Sequence, residues 1–300
     1  MPGTSRALPV AMVQAPPLPV ADALERFPGQ VREVLDRFPN TRMVIYPELH
    51  LFGADSDDQL RDAAEPLDGP RVAALAELAG ELGVWLLPGT LCETDPDLPR
   101  GVFNTAMAFS PEGRLVASYR KIFPWRPYEI FTPGDRFTVF EVPGIGRFGF
   151  SICYDAWFPE VARQLAWLGA EVIVNPVRTT TSDRAQELVL ARANAIVNQV
   201  FVLSVNAAAP GGVGRSLIAD PEGRVRMEAD DACATVLTDV LDLGEVARVR
   251  EFGTAGLNRM WSQFTADDRV LELPLYGGRI DPARWHPDTR DDGPHPPTSP

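Results

Sequence analysis

The chain has 300 residues, of which 45% are hydrophobic, and a formal net charge of −13 at pH 7. This length allows one large α/β domain or two small domains, each with its own core. The strong negative charge argues against nucleic acid and anionic membrane surfaces as partners, because both would repel the protein. No apolar run approaches the roughly 18 residues that a membrane-spanning helix requires.

Cysteine and histidine are both scarce. Cys92, Cys153 and Cys233 lie too far apart in sequence to form a disulfide framework or a metal-ligand pair, so we predict no metal or cofactor and a reducing, cytoplasmic location. The N-terminal "MPGTSRALPVAMVQAPP" lacks the long apolar centre of a signal peptide. Two of the three histidines lie in the last twenty residues, which leaves His50 for any mechanism that needs a histidine base.

Strand-like and helix-like patterns alternate in the first third of the chain. "LPVAMVQ" predicts a strand, and "VREVLDRF" predicts an amphipathic helix that Pro28 precedes or interrupts. "RMVIYPE" predicts a second strand, and "PRVAALAELAGELG" a helix that stops at Gly83. "VWLLPGTL" then predicts a single third strand.

The middle of the chain contains two similar strand–turn–strand units. "TAMAFSPEGRLVASYRK" turns at Pro111 to Gly113, and "SLIADPEGRVRME" turns at Pro221 to Gly223. Between and after them, strands again alternate with helices. This order predicts one α/β domain over residues 1–280, with a compact body over 6–252 and an extension over 253–280. The Pro- and Asp-rich tail 281–300 is expected to be disordered.

The stretch "GFSICYDAWFPE" offers two nucleophiles, Ser151 and Cys153. Ser151 lies inside the predicted strand, and it lacks the following glycine that lets a serine-hydrolase elbow close. Cys153 ends the strand, close to a helix that begins near Phe158 or Pro159. The positive end of that helix is expected to lower the pKa of the thiol. The local pattern alone is equally typical of a small buried core residue.

Two other reactive groups also follow predicted strands. Glu48 ends "RMVIYPE", and Lys121 ends "GRLVASYRK". Ligands of α/β sheets bind beyond the carboxyl ends of strands, so these side chains and Cys153 are expected to meet there. A carboxylate can take the proton of the thiol and return it to a leaving amine. An ammonium can stabilise the oxyanion of a tetrahedral intermediate.

The segments "YPELHLFG", "YRKIFPWRPYEIFTPGD" and "GFSICYDAWFPEVARQLAWLGAEVIVNP" together resemble the nitrilase (carbon–nitrogen hydrolase) superfamily, over most of residues 6–252. The resemblance implies an α/β fold, a four-layer α-β-β-α sandwich, and a homodimer or higher homo-oligomer. It implies that Glu48 is the general base and Cys153 the nucleophile. Lys121 and the backbone N–H of Tyr154 would stabilise the oxyanion. Glu129 matches a second glutamate that orients the lysine or the substrate.

Within this family, the residues after the cysteine favour an amidase. Tyr154 and Asp155 follow it as in the amidase and carbamoylase branches, whereas nitrilases carry Trp-Glu there. The resemblance therefore implies hydrolysis of a linear carboxamide to a carboxylate and ammonia through a cysteine thioester. A nitrilase, a carbamoylase and an acyltransferase use the same three residues and remain alternatives. The non-enzymatic alternative is a binding or assembly module that retains the fold. One departure is Val197, where the family commonly has glutamate.

Four residues near these motifs are candidates for substrate binding. Trp125, Tyr128 and Trp157 flank the motifs and would wall the acyl pocket, or else serve as ordinary core or dimer contacts. Arg178 follows the predicted strand "EVIVNP". It would bind an acidic group of the substrate, or else form a surface salt bridge.

Overall fold

Two β-sheets and the helices that cover them form the protein. The computed structural model describes residues 6–273 and 278–280, and for residues 99, 100 and 278–280 it describes the backbone alone. In chain order the elements are β1 (Ala7–Gln14), α1 (Ala23–Arg37), β2 (Met43–Ile45), α2 (Asp57–Asp62), α3 (Pro70–Leu82), β3 (Trp85–Leu87), β4 (Thr90–Asp95), β5 (Leu98–Phe109), β6 (Leu115–Arg120), β7 (Val139–Val142), β8 (Gly146–Phe150), α4 (Pro159–Trp167), β9 (Val172–Val177), α5 (Arg184–Asn198), β10 (Phe201–Asn206), β11 (Leu217–Ala219), β12 (Val225–Glu228), β13 (Thr235–Asp242), α6 (Gly244–Phe252), β14 (Leu271–Leu273) and β15 (Gly278–Ile280).

Each of the two large sheets has a parallel centre with antiparallel strands at its sides. The first has the order β13-β1-β2-β3-β5-β4, with β6 also paired to β5, and its strands β1, β2 and β3 are parallel. The second has the order β12-β11-β10-β9-β8-β7, with β8, β9 and β10 parallel. The carboxyl ends of the parallel strands lie along one edge of each sheet, where the reactive side chains were expected.

Three apolar layers hold the sheets and helices together. The inner faces of the two sheets pack on each other through side chains such as Met12, Ile45, Phe148 and Val174. Helices α1 and α3 cover the outer face of the first sheet, and α4 and α5 cover the outer face of the second. The four-layer α-β-β-α sandwich predicted from the sequence is therefore confirmed, because each sheet buries one face against the other sheet and one against helices.

The glycine turns follow the sequence prediction, whereas Pro28 does not. Gly83 ends α3 with φ 65°, and Gly113 and Gly223 turn the two hairpins with φ 74° and φ 75°. The prediction that Pro28 precedes or interrupts its helix is wrong, because it lies inside α1. Pro28 removes one backbone hydrogen bond, and burial of the apolar face of α1 offsets this loss. That face consists of Ala23, Phe27, Val31 and Val34.

The region after α6 returns to the body of the molecule. Trp261 is buried against the apolar layer that α4 and α5 form on the second sheet. None of the helices in the described ranges combines the length and apolar character that crossing a bilayer requires. The division into a single domain over 1–280 stays a prediction, and the expected disorder of 281–300 concerns residues outside the described part.

Gly89 explains why "VWLLPGTL" forms two strands rather than the one predicted. Its φ is 90°, and a Cβ at this position would lie 1.7 Å from the carbonyl oxygen of Pro47. The chain therefore turns between β3 and β4 and lets the segment carrying Glu48 approach. This approach requires glycine for two reasons, the positive φ and the lack of space.

We expect Gly89→Ala to lower the free energy of unfolding by about 2–4 kcal/mol, because the added methyl group meets backbone rather than a movable side chain. Gly29→Ala is the matched control. Gly29 lies inside α1 with open space around it, so there the same change should raise stability by about 0.5–1 kcal/mol. Urea titration of both variants measures the difference. Equal effects at the two positions would contradict this account.

Candidate active site

A buried lysine joins two carboxylates at the edge of the first sheet. Glu48 follows β2, and Lys121 directly follows β6. The Nζ of Lys121 donates to Oε1 of Glu48 at 3.0 Å, and to Oε1 and Oε2 of Glu129 at 2.7 and 3.0 Å. Lys121 is completely buried and Glu48 is 2% exposed. Three of the four predicted catalytic residues therefore form one hydrogen-bonded cluster.

Hydrogen bonds from backbone and side-chain groups hold each carboxylate in place. Leu49, directly after Glu48, has φ 52°, and its N–H donates to Oγ1 of Thr90 at 2.9 Å. Asn104 donates from Nδ2 to Oε1 of Glu48 at 2.7 Å. The backbone N–H of Trp125 donates to Oε2 of Glu129 at 3.2 Å. Because these groups come from different strands and loops, the carboxylates are fixed before any ligand binds.

The cluster keeps the lysine charged. Burial opposes the charge on Lys121, but the negative charges of Glu48 and Glu129 help to outweigh burial and raise its pKa above the ordinary value. Burial raises the pKa of Glu129, and Lys121 partly opposes this effect. The ammonium is therefore a permanent positive charge in the site. It can stabilise developing negative charge, but it cannot act as a base near neutral pH.

Cys153 lies on a strained turn between the second sheet and α4. Strand β8 ends at Phe150, a 3₁₀-helix spans Cys153–Trp157, and α4 begins at Pro159. The φ of Cys153 is 46°, in the left-handed region that costs a non-glycine residue about 1–3 kcal/mol. The backbone N–H of Tyr154 lies in the first turn of the 3₁₀-helix, where amide groups lack partners within the helix.

The expectation of a lowered thiol pKa is wrong. Burial, followed by the negative charge of Glu48, raises the pKa of Cys153 well above its ordinary value. Lys121 opposes this effect, whereas Glu187 and Glu129 add to it. The helix begins at Pro159 as predicted, but the 3₁₀-helix Cys153–Trp157, which was not predicted, lies before it. The free site therefore holds a neutral thiol, which needs a base at the moment of attack.

Asp155 connects the cysteine turn to the lysine segment. Its Oδ2 accepts from the hydroxyl of Tyr119 at 2.8 Å and from the N–H of Ile152 at 2.9 Å. Its Oδ1 accepts from the N–H of Phe123 at 2.8 Å. Sequence reasoning used Asp155 only to distinguish family branches and missed this role. Its place two residues after the nucleophile, within a tight turn, was the available signal.

A cleft of about 200 Å³ opens beside the cluster, and Glu48, Glu129, Trp125, Tyr128 and Arg178 line it together with Leu49, Asp57, Leu60, Ile130 and Phe131. None of the ion pairs or hydrogen bonds found in the described residues engages the Arg178 side chain. Cys153 and Trp157 are not among the lining residues. The charges of Glu48 and Glu129, which line the cleft, raise the pKa of Cys153. The ring of Trp157 lies 6.0 Å from that of Tyr154.

The other candidates for a nucleophile or base have structural surroundings. His50 is fully buried, burial lowers its pKa to about 3, and its Nε2 lies 2.9 Å from Oε1 of Gln30. Ser151 is buried, and its backbone oxygen accepts from Nδ2 of Asn175 at 2.9 Å. No cluster of three metal-ligating side chains occurs in the part of the chain that the structure describes.

A second polar chain contacts the sulfur from α5, and sequence reasoning missed it. The Sγ of Cys153 lies 3.9 Å from Oγ1 of Thr179, which in turn lies 2.7 Å from Oε1 of Glu187. Arg184 donates to Oε2 of Glu187 at 3.0 Å. A threonine and a glutamate at this spacing are ordinary in any sequence. Only the fold brings them to the cysteine.

Comparison with known proteins places this site in a family. The sequence profile described as Carbon-nitrogen hydrolase matches residues 9–251. Omega-amidase NIT3 of Saccharomyces cerevisiae is 30% identical over 252 residues, which cover 76% of this chain and 84% of that protein. A formamidase of Bacillus cereus is 30% identical over 212 residues, or 68% of this chain. The match spans 63% of that formamidase, less than two thirds of its length.

Solved structures agree with the sequence comparison. Yeast Nit3, described as a member of branch 10 of the nitrilase superfamily, superposes with a TM-score of 0.74 at 28% identity, over 82% of this chain and 93% of that one. A carbon–nitrogen hydrolase from Helicobacter pylori shares the fold, with a TM-score of 0.73 at 23% identity over the same shares. The chain therefore belongs to the carbon–nitrogen hydrolase family, within the nitrilase superfamily of enzymes.

Proposed function

We propose that the protein is an amidase that hydrolyses a linear carboxamide to a carboxylate and ammonia through a thioester on Cys153. The observation that carries this proposal is the buried ammonium of Lys121 bonded to Glu48 and Glu129. The cluster supplies a base and a fixed positive charge next to a neutral thiol. Relatives named omega-amidase and formamidase support the choice of an amide over a nitrile.

In the acylation step, the sulfur of Cys153 attacks the carbonyl carbon of the amide, and Glu48 takes the thiol proton. The negative charge that develops on the carbonyl oxygen is stabilised by Lys121 and by the backbone N–H of Tyr154. When the tetrahedral intermediate collapses, the C–N bond breaks. Glu48 then gives its proton to the departing nitrogen, so that ammonia leaves and a thioester remains.

In the deacylation step, Glu48 takes a proton from water as the water oxygen attacks the thioester carbon. The same two donors stabilise the second oxyanion. Collapse breaks the C–S bond, the sulfur recovers its proton from Glu48, and the product leaves as the carboxylic acid, which loses its remaining proton to solvent and becomes the carboxylate. Glu129 keeps Lys121 in place through its two hydrogen bonds. Because the pKa of Lys121 is raised above its ordinary value, we assign the proton transfers of both steps to Glu48 rather than to the lysine.

We expect Cys153→Ala to lower ammonia release from simple aliphatic amides by at least about 10⁴-fold, because no other group can form the covalent intermediate. Cys233→Ala, at an exposed cysteine, is the control and should retain activity. Mass spectrometry of the protein after incubation with amides should find an acyl group on Cys153.

The same assay distinguishes the alternative reactions. Acid formed from nitriles but not from amides would indicate a nitrilase. Hydroxamate formed in the presence of hydroxylamine, without free acid in its absence, would indicate an acyltransferase. Amide hydrolysis that survives Cys153→Ala would contradict the proposed mechanism as a whole.

We further propose that Trp125 and Tyr128 wall the acyl pocket and that Arg178 binds an acidic group on the acyl chain. The two aromatic rings lie 4.4 Å apart in the cleft, and Arg178 follows β9 on its lining. A guanidinium that is free of protein partners can bind a carboxylate through two parallel hydrogen bonds. We assign Trp157 to support of the cysteine turn, because its ring faces that of Tyr154.

Arg178→Met should raise KM for a monoamide of a dicarboxylic acid by about 10–100-fold, because the variant loses the binding free energy of a charged hydrogen-bonded pair. The KM for a neutral amide of the same length should change little. Arg136→Met, at an exposed arginine outside the cleft, is the control. Steady-state kinetics with both substrates measures the effect. An equal change for both would show that Arg178 does not recognise an acid.

The resemblance to the family implies a dimer, and we propose that α5 contributes to its interface. Val189, Ile196 and Val197 form an apolar stripe on the outer face of α5, and they are 65%, 44% and 44% exposed. Val189→Glu should shift the mass measured by light scattering towards the monomer. Leu24→Glu, at an exposed leucine of α1, is the control. A wild-type protein of monomer mass would contradict the proposal.

We also propose that the enzyme works in the reducing cytoplasm. Cys92, Cys153 and Cys233 are all free, and a catalytic thiol must stay reduced to attack an amide. Cell fractionation that recovers the protein outside the cytoplasm would contradict this location.

A further inference from the structure

The sulfur of Cys153 contacts a hydroxyl that belongs to a buried polar chain separate from the lysine cluster. Thr179 follows β9, and its Oγ1 is 3.9 Å from Sγ, within the longer range of sulfur hydrogen bonds. The same Oγ1 lies 2.7 and 2.9 Å from the two carboxylate oxygens of Glu187 on α5. Among the hydrogen bonds of the described residues, the one between Cys153 and Thr179 is the one that involves Sγ.

The proton count fixes the direction of these bonds. A hydroxyl has one proton, and an ionised carboxylate only accepts. The Thr179 proton is therefore committed to Glu187, which leaves an oxygen lone pair facing the sulfur. Such an oxygen can accept from the S–H of Cys153, but it offers no proton to a thiolate. The chain of bonds thus favours the thiol over the thiolate.

The chain is held rigidly by buried groups. The backbone N–H of Thr179 donates to Oδ1 of Asn206 at 2.9 Å, and Nδ2 of Asn206 donates back to the carbonyl oxygen of Thr179 at 3.2 Å. Arg184 bonds Glu187 and also donates to Oγ of Ser204 at 3.1 Å and to backbone carbonyls. Glu187 and Arg184 are 6% and 2% exposed, so water does not compete for these bonds.

We propose that Thr179 and Glu187 are positioning residues that hold Cys153 as a neutral, oriented thiol until a bound amide allows Glu48 to remove its proton. This inference rests on the proposed role of Cys153 as the nucleophile. On attack, the S–H proton passes to Glu48, while the Thr179 proton stays with Glu187. The hydrogen bonds from Cys153 through Thr179 to Glu187 therefore transfer no proton. It restrains the sulfur in the free enzyme and limits reaction with other electrophiles and oxidants.

The charged groups around the sulfur show why Glu187 is the one to change. Glu48 and Glu129 raise the pKa of Cys153 from the side of the lysine cluster, and Lys121 opposes them. Glu187 raises it from α5, where Arg184 is its counter-ion. Of these three carboxylates, Glu187 is the one that accepts a hydrogen bond from the Thr179 hydroxyl, which in turn contacts Sγ of Cys153. Its replacement therefore leaves the proposed base and the oxyanion site intact.

The test measures the rate of iodoacetamide alkylation of Cys153 against pH, without substrate, by peptide mass spectrometry. Glu187→Gln and Thr179→Val should each move the midpoint of the profile down by about one pH unit or more, because each removes stabilisation of the thiol. Thr179→Ser keeps the hydroxyl and should keep the wild-type midpoint. Glu141→Gln, on β7 away from the site, is the control. Alkylation of the exposed Cys233 calibrates the reagent in every sample.

Two results would contradict the proposal that Thr179 and Glu187 hold Cys153 as a neutral thiol. A midpoint that rises in Thr179→Val would show that the hydroxyl donates to the thiolate. A shift from Glu187→Gln that is as large in the Thr179→Val background as in wild type would show that Glu187 acts by charge alone, without the hydroxyl. Alkylation reads the thiol directly, so failure here differs from failure of the amidase proposal, which amide turnover by Cys153→Ala reports.

Discussion

The site depends on one buried ion cluster, the Lys121 ammonium between Glu48 and Glu129. A buried ammonium without partners would cost several kcal/mol, whereas here both carboxylates balance its positive charge and accept its N–H hydrogen bonds. The need of the ammonium for carboxylate partners brings distant parts of the chain into contact, because Glu48 follows β2 and Lys121 follows β6. Removing either carboxylate would leave the ammonium with one partner. The first sheet and the loops at its edge are thus constrained by the same charges that the chemistry needs.

Two of the six non-glycine residues with positive φ in the described part of the chain lie at the candidate site. Leu49, next to Glu48, and Cys153 itself both have positive φ. Thr90 holds the first turn through the Leu49 N–H, and Asp155 holds the second through the Ile152 N–H. These bonds come from residues that are buried and paired elsewhere, so the turns cannot relax without losing several contacts. These contacts therefore fix the backbone at Glu48 and Cys153, the proposed base and nucleophile, before a substrate arrives.

Much of this could be predicted from sequence, because periodicity and turn residues are local and the family motifs are contiguous. The sandwich, the hairpin at Gly113 and the strand-end positions of Glu48 and Lys121 all follow from such signals. The direction in which the pKa of Cys153 is shifted could not be predicted, because it depends on burial and on carboxylates from three separate segments, Glu48, Glu129 and Glu187. The contact between Thr179 and Glu187 has no motif either. Pro28 was misjudged because local propensity was weighed without the buried face of α1.

A raised thiol pKa suits the proposed thioester mechanism once the charge of the whole site is considered. An ionised sulfur in the free enzyme would add negative charge beside two carboxylates that share one ammonium. A neutral thiol avoids this, and the new charge appears only as the carbonyl oxygen becomes an oxyanion facing Lys121. In the acyl-enzyme the sulfur has no proton, while the Thr179 hydroxyl remains bonded to Glu187. In the proposed mechanism Glu48 is then the group free to activate water, so that one base would serve both halves of the reaction.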